Sequence, residues 1–231
     1  VKIASLPLPA VPQRASQRTE SIQFTVSHHM TIIGRGDGLA LQACRATWRT
    51  REASAHYGVD GKRVAQFLPD YLAAWATANR HGNHAGISIE HANATGAPDW
   101  KLSTDTLLTG AQLVAELHVR HKLGRPVKNV TMRRHSDFFA TACPGPFFED
   151  GWGSYVRHAQ QHYDRITNPT PERTWFDMAT KAELKQALRE VLDEDPKLGE
   201  VWGAVRKGKP GRWRDGWMRT LLLGLQKAGE R

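Results

Sequence analysis

The chain has 231 residues, 40% of them apolar and 24% charged, with two cysteines. That composition supports a folded core and excludes a disulfide scaffold, and no run approaches the ~18 apolar residues of a membrane span. Lys plus Arg number 32 against 23 Asp plus Glu, a formal charge of +9 that attracts polyanions (nucleic acid, anionic membrane, anionic wall polymer) without choosing among them.

Residues 1–12, VKIASLPLPAVP, are too short and too broken by three prolines for a secretory apolar segment, so no signal peptide is read here. The first residue is Val1 rather than Met, which leaves room for a removed segment. Residues 1–21 read as an extended arm, with the compact part starting at Ile22. Ile22, Phe24 and Val26 alternate with Gln23, Thr25 and Ser27, the period of a half-buried strand. Gly34, Gly36 and Gly38 form a loop before a helix over 39–49 with Leu41, Cys44 and Trp48 on one stripe. Residues 54–68 predict a hairpin turning at Asp60-Gly61 through a type I′ turn. Residues 86–92 predict a strand, Ile87 and Ile89 on one face and Ser88 and Glu90 on the other.

Residues 105–122 predict a helix capped by Ser103 or Thr104 and stopped by Gly124 and Pro126, with Leu107, Ala111, Val114 and His118 on one stripe. Val130 and Met132 predict a last strand. Strands and helices are interspersed, so the fold class is α/β (α+β) over 22–165. Residues 166–174 carry two prolines and read as a linker. Residues 175–231 read as a helical segment. Thr180 and Glu183 fit a capping box, and Trp213, Trp217 and Leu221 recur every four residues. Charge in this region is split, about −3 over 172–200 and about +6 over 201–231. The tryptophans and the basic end suit either a packed helical hairpin that self-associates or a module that binds anionic cell-wall polymer. No helix-turn-helix or RNA-binding signature supports a nucleic-acid partner.

The sharpest chemical signal is His135 with Cys143 in RRHSDFFATACPGPFF, where Pro144-Gly145 forces a turn that fixes the thiol. Imidazole and thiolate bind zinc at ~2.0–2.1 and ~2.3 Å. Two donors are too few for a stable site. The third is sought in TVSHHM, where His28 and His29 end the first strand; strand neighbours point to opposite faces, so one of the two reaches the metal. Three protein ligands leave a fourth tetrahedral position, the plan of a catalytic zinc. Taken singly, each histidine also suits a core or surface role, and a buried cysteine is usually a small apolar residue.

The segments SHHM at 27–30, REASAHYGVDGKRVAQFL at 51–68, AAWATAN at 73–79, GISIEHAN at 86–93 and RHSDFFATACPGP at 134–146 together resemble the type 2 N-acetylmuramoyl-L-alanine amidases, the zinc fold shared with peptidoglycan recognition proteins, and especially endolysins of phages that infect actinobacteria. The resemblance spans roughly 22–150 and implies a mixed central sheet flanked by helices, with zinc in a groove on one side. It implies Zn²⁺ ligands at His28 (rather than His29), His135 and Cys143. Peptidoglycan would be the substrate, cut between N-acetylmuramic acid and L-alanine. The protein would be made in the host cytoplasm and act on the wall after release.

Two positions depart from that pattern. Ala55 stands where many members carry a catalytic tyrosine, and Thr141 where some carry a lysine. Members lacking the tyrosine use the glutamate of the GIxIE strand, which is Glu90 here. Glu90 is therefore expected to carry the proton from water to the leaving nitrogen, with Thr141 stabilising the oxyanion. Tyr57 is expected on the far face. Trp75 and Asn79 border the family's groove and are expected to meet stem peptide or sugar, Trp75 equally suiting the core. Asp137 suits either an acceptor that orients His135 or a simple turn residue. Cys44 is expected in the core with no bridge to Cys143. Two alternatives remain at this point: a non-catalytic peptidoglycan receptor, which typically lacks the cysteine, and a zinc endopeptidase cutting within the peptide.

Overall fold

The computed structural model describes residues 2–6 and 14–169, together with Glu183 and Gln186. The chain divides into two units, Val1–Pro169 and Thr170–Arg231, and the first is described below. The expected tail helices and most of the expected linker lie outside the described residues.

Strands β1 (Ile3–Ser5), β5 (Arg63–Gln66), β4 (Tyr57–Asp60), β7 (Gly86–Asn93), β3 (Phe24–Ile33) and β8 (Met132–Arg134) form one sheet in that order. All neighbours are parallel except the β4–β5 hairpin, so the sheet is mixed, as the sequence implies. A small second sheet pairs β2 (Ala15–Gln17) antiparallel with β6 (Leu72–Ala74). Helix α1 (Leu39–Thr47) packs on one face. Helices α3 (Thr104–Arg120) and α4 (Pro146–Thr167) cover the other, and the short α2 (Arg80–Ala85) leads into β7.

β3 was expected to be half-buried, and it is buried on both faces. Phe24, Val26 and His28 face one way, and Thr25 and Ser27, on the other face, are only 1% exposed. The cause is α4, which the sequence reading did not anticipate. Its Phe148, Trp152, Tyr155, Val156 and Ala159 recur at helical spacing and join Ile87, Ile89, Leu113 and Leu117 in the main core. Parallel strands covered on both sides lose the apolar–polar alternation. On the opposite face Leu41, Cys44 and Trp48 of the expected α1 stripe are buried, with Trp48 edge-on to Phe67.

The hairpin turns one residue later than expected. Asp60 pairs with Arg63, leaving Gly61 and Lys62 as the loop, and only Gly61 has a positive φ (58°). A type I′ turn needs positive φ at both loop positions; glycine at the first alone is the type II′ pattern. Asp60 is otherwise engaged: its carboxylate accepts from the N–H groups of Gly36 and Gly38, both at 2.9 Å, tying hairpin to loop. Val130 likewise falls outside β8 and is exposed. Ser103, not Thr104, caps α3 by accepting from Thr106 N.

The extended stretch before Ile22 belongs to the compact unit. β1 adds an edge to the main sheet, and Arg18 inserts its guanidinium among four backbone carbonyls. It donates to those of Asp70 (3.1 Å), Leu72 (2.9 Å), Gly86 (3.1 Å) and His84. His56 lies beside it and accepts from Ser88 N at 3.0 Å; burial lowers its pKa to about 4, keeping it neutral.

A second polar knot locks β4 to α3. Asp70 accepts from Tyr57 Oη at 2.7 Å, from His121 Nε2 at 2.8 Å and from Arg120 at 3.2 Å. Burial pushes the Asp70 carboxyl up, but the hydrogen bonds from Tyr57 and His121 outweigh it and hold its pKa below the ordinary value. A carboxylate with a depressed folded pKa adds stability above its unfolded pKa of ~3.9, and that stability fades as pH falls through the folded value. Asp70→Asn is therefore expected to cost about 1–3 kcal/mol at pH 7 and clearly less at pH 3. Urea unfolding at the two pH values checks this; an equal loss at both would remove the carboxylate from the account.

Candidate functional site

β3 and β7 are in parallel register, with His28 opposite Glu90. Both side chains stand on the face that α1 only partly covers, and a cavity of about 350 Å³ opens there. The chain returns to it after β8, where a 3₁₀ turn over His135–Asp137 carries His135 to the edge of β3. Phe138 stacks on Phe24, their ring centroids 5.2 Å apart, and Arg133 lies over Phe138, which pins this turn to the sheet. Cys143 follows, its N–H donating to Thr141 Oγ1 at 3.2 Å, and the Gly145 N–H closes the turn onto Ala142.

These segments bring three donors together. His28 Nδ1 is 3.2 Å from His135 Nδ1 and 3.7 Å from Cys143 Sγ, and one donor atom from each residue lies within 4.8 Å of the others. A tetrahedral zinc with Zn–N of ~2.05 Å and Zn–S of ~2.3 Å sets N···N near ~3.3 Å and N···S near ~3.6 Å. The observed spacings fit that ion.

Electrostatics points the same way. Burial pushes the pKa of His28 far down and the His135 imidazole adds to it; His135 is also lowered by burial, which the Thr77 carbonyl opposes. Both rings are thus neutral, the form that binds metal. Burial pushes the Cys143 thiol up, and Glu90 adds to the effect. The His29 backbone only partly offsets this for the thiolate, whereas a bound cation would favour it strongly. His29 is outside the cluster. It stands on the other side of β3, packs edge-on to Trp100 and abuts Gly145.

Glu90 lines the cavity with its Oε2 buried and without a hydrogen-bond partner among the described residues. Burial raises its pKa to about 7, with Arg51 opposing. Such a carboxyl exchanges a proton readily near neutrality. Thr141 and Trp75 also line the cavity; Trp75 is held by its backbone, its N–H donating to Ser54 Oγ at 3.0 Å. Asn79 is not part of the lining. It is the N-cap of α2, its side chain accepting from Gly82 N at 3.0 Å. Asp137 does not orient His135. It accepts from Arg133 Nε, Arg134 N and Arg134 Nη2, which makes it the turn aspartate. Tyr57 lies on the far face, as the strand period requires, and Cys44 and Cys143 are both free.

Two features escaped the sequence reading. Arg51, just past α1, lines the cavity. Behind the cluster, on the α4 side, His91 Nδ1 donates to the His28 carbonyl at 2.8 Å, so its Nε2 accepts from Tyr155 Oη at 2.9 Å. A Cβ at Gly110 would come within 2.7 Å of His91 Nε2 and 2.9 Å of Tyr155 Oη, so only glycine lets α3 pass here. The signal available in the sequence was a histidine in register with Ile87 and Ile89 on an otherwise apolar face.

Comparison with known proteins gives the same picture. The catalytic domain of XlyA matches with 21% identity and a TM-score of 0.55, over 69% of this chain and 99% of that one. A mutant endolysin from Bacillus subtilis matches with 19% identity and a TM-score of 0.56, over 69% and 99%. The Staphylococcus aureus hydrolase AmiA in complex with its ligand matches with 16% identity and a TM-score of 0.59, over 74% and 87%. At these identities the likeness is one of fold. No curated sequence matches the chain. The family model of the N-acetylmuramoyl-L-alanine amidases matches residues 18–146, a stretch that contains the whole histidine–cysteine cluster, and the chain belongs to that family.

Proposed function

We propose that the protein is a zinc-dependent N-acetylmuramoyl-L-alanine amidase that cuts the amide between the lactyl group of N-acetylmuramic acid and L-alanine in peptidoglycan, acting as a phage endolysin on the host wall after release. The observation that carries this reading is the convergence of His28, His135 and Cys143 at tetrahedral spacing beside a buried carboxyl. The family match supports peptidoglycan as substrate, and the endolysin of known structure supports the lytic role. A cysteine in the cluster favours catalysis over a receptor that only binds wall.

His28, His135 and Cys143 would hold the ion, and zinc there supplies Lewis acidity toward an amide carbonyl and toward water. The chain's own residues do the rest. Glu90 Oε2 takes a proton from the attacking water and returns it to the departing L-alanine nitrogen, a role suited to a carboxyl poised near neutrality. Thr141 Oγ1 already accepts from Cys143 N, which leaves its O–H to donate to the developing oxyanion. Trp75 offers a flat wall to peptide or sugar. The basic stretch over 201–231 gives a contact for anionic wall polymer.

Cys143→Ser and His135→Ala are expected to lose stoichiometric zinc and dye release from labelled wall together, and a chelator should reproduce the loss in the wild type. Elemental analysis beside the release assay checks both; zinc-free protein that still releases dye would overturn the metal's role. Glu90→Gln should keep zinc at full occupancy while kcat falls ~10²–10⁴-fold. Mass spectrometry of the digest decides the bond: free L-alanine amino termini with intact N-acetylmuramic acid are expected, and cleavage within the stem peptide would refute the amidase assignment.

A further inference from the structure

The cavity carries one strong cation, Arg51. Arg51 is exposed and lines the same cavity as Glu90, Trp75 and the histidine–cysteine cluster, and no other Lys or Arg lines it. Its backbone is fixed: its N–H donates to the Thr47 carbonyl at 3.2 Å, and its own carbonyl accepts from Ala53 N at 2.9 Å. Among the described residues, its guanidinium has neither a hydrogen bond nor an ion pair. Several other arginines of this unit are engaged, and none of the rest lines the cavity. Arg18 is spent on carbonyls, Arg120 on Asp70, Arg125 on Asp164, and Arg133 and Arg134 on Asp137. The Arg51 charge reaches the cavity floor, where it counters the effect of burial on Glu90.

An idle guanidinium offers five donors in a planar fork that matches a carboxylate. The substrate class assigned above provides carboxylates on one side of the scissile bond. The acyl side is a sugar lactyl group, and the leaving side is a peptide that continues from L-alanine into acidic residues. We propose that Arg51 determines specificity by binding a stem-peptide carboxylate on the leaving side of the amide, so that the protein selects acidic over amidated peptide. This inference rests on the amidase reading for its substrate and adds to it a preference among substrates. Neutralising the guanidinium on binding also favours peptide seated along the whole cavity over fragments that reach only the metal cluster.

The test uses the zinc-loaded full chain with L-alanyl-D-glutamate and the corresponding diamide, titrated by NMR. Both peptides lie beyond the scissile bond, so neither is consumed. The wild type is expected to bind the acidic peptide about tenfold or more tightly than the diamide. Arg51→Gln should erase that difference, and Arg51→Lys should keep part of it, since an ammonium retains the charge and loses the fork. Equal affinity of the wild type for the two peptides, or an undiminished preference in Arg51→Gln, would overturn the proposal. Wall digestion by the same preparations separates the two readings. Turnover without the preference strikes Arg51 alone, and the preference without turnover strikes the amidase reading.

Discussion

The site depends on one register. β3 and β7 pair in parallel with His28 beside Glu90 and His29 beside His91. Because strand side chains alternate, that pairing places the His28 imidazole and a carboxyl together on the open face, and the His29 and His91 imidazoles on the other. A slip of one residue would exchange the faces and turn His28 toward α4, away from Glu90 and His135. Every other part of the site is brought to this pair: His135 by the turn after β8, Cys143 by the Pro-Gly turn, Arg51 by the end of α1.

The two faces do different work on the same backbone. On the covered face, His91 and Tyr155 form a closed set of hydrogen bonds that ends on the His28 carbonyl. The strand that carries His28 is thus held from behind by groups whose tautomer is dictated by their partners, and α3 is admitted only because position 110 has no side chain. On the open face, His28 Nε2 and Glu90 Oε2 have no hydrogen-bond partner among the described residues. Hydrogen bonds that hold the strand from behind, with free polar atoms in front, are what a rigid scaffold behind a reactive surface requires.

Much of this was legible in the sequence, for identifiable reasons. The alternation of Ile87 and Ile89 with Ser88 and Glu90 fixes the orientation of β7 without tertiary information. The Leu41, Cys44 and Trp48 stripe does the same for α1. A resemblance spread over five segments singled out His28, His135 and Cys143, which no single histidine could have done, and the structure brings their donor atoms together. What escaped was non-local. β1 and β2 are three-residue strands that exist only through their partners β5 and β6. α4 carries glycines at 151 and 153 that mask its stripe. The offset of the hairpin turn comes from Asp60 serving the Gly36–Gly38 loop, a contact between segments more than twenty residues apart. Asn79 and Asp137 illustrate a different limit. Both are polar residues near a groove by sequence, and both spend their side chains on backbone N–H groups.

Arg18 has a practical corollary. It bears on where the unit that holds the family match can be trimmed. A cut guided by hydropathy would fall at Ile22, where the first long strand begins. That excision would discard a half-buried cation and leave four main-chain oxygens without their donor, among them the one at the doorway to the strand that bears Glu90. A trimmed unit therefore has to start upstream of the short β2 ribbon, even though none of the described residues before Ile22 lines the cavity.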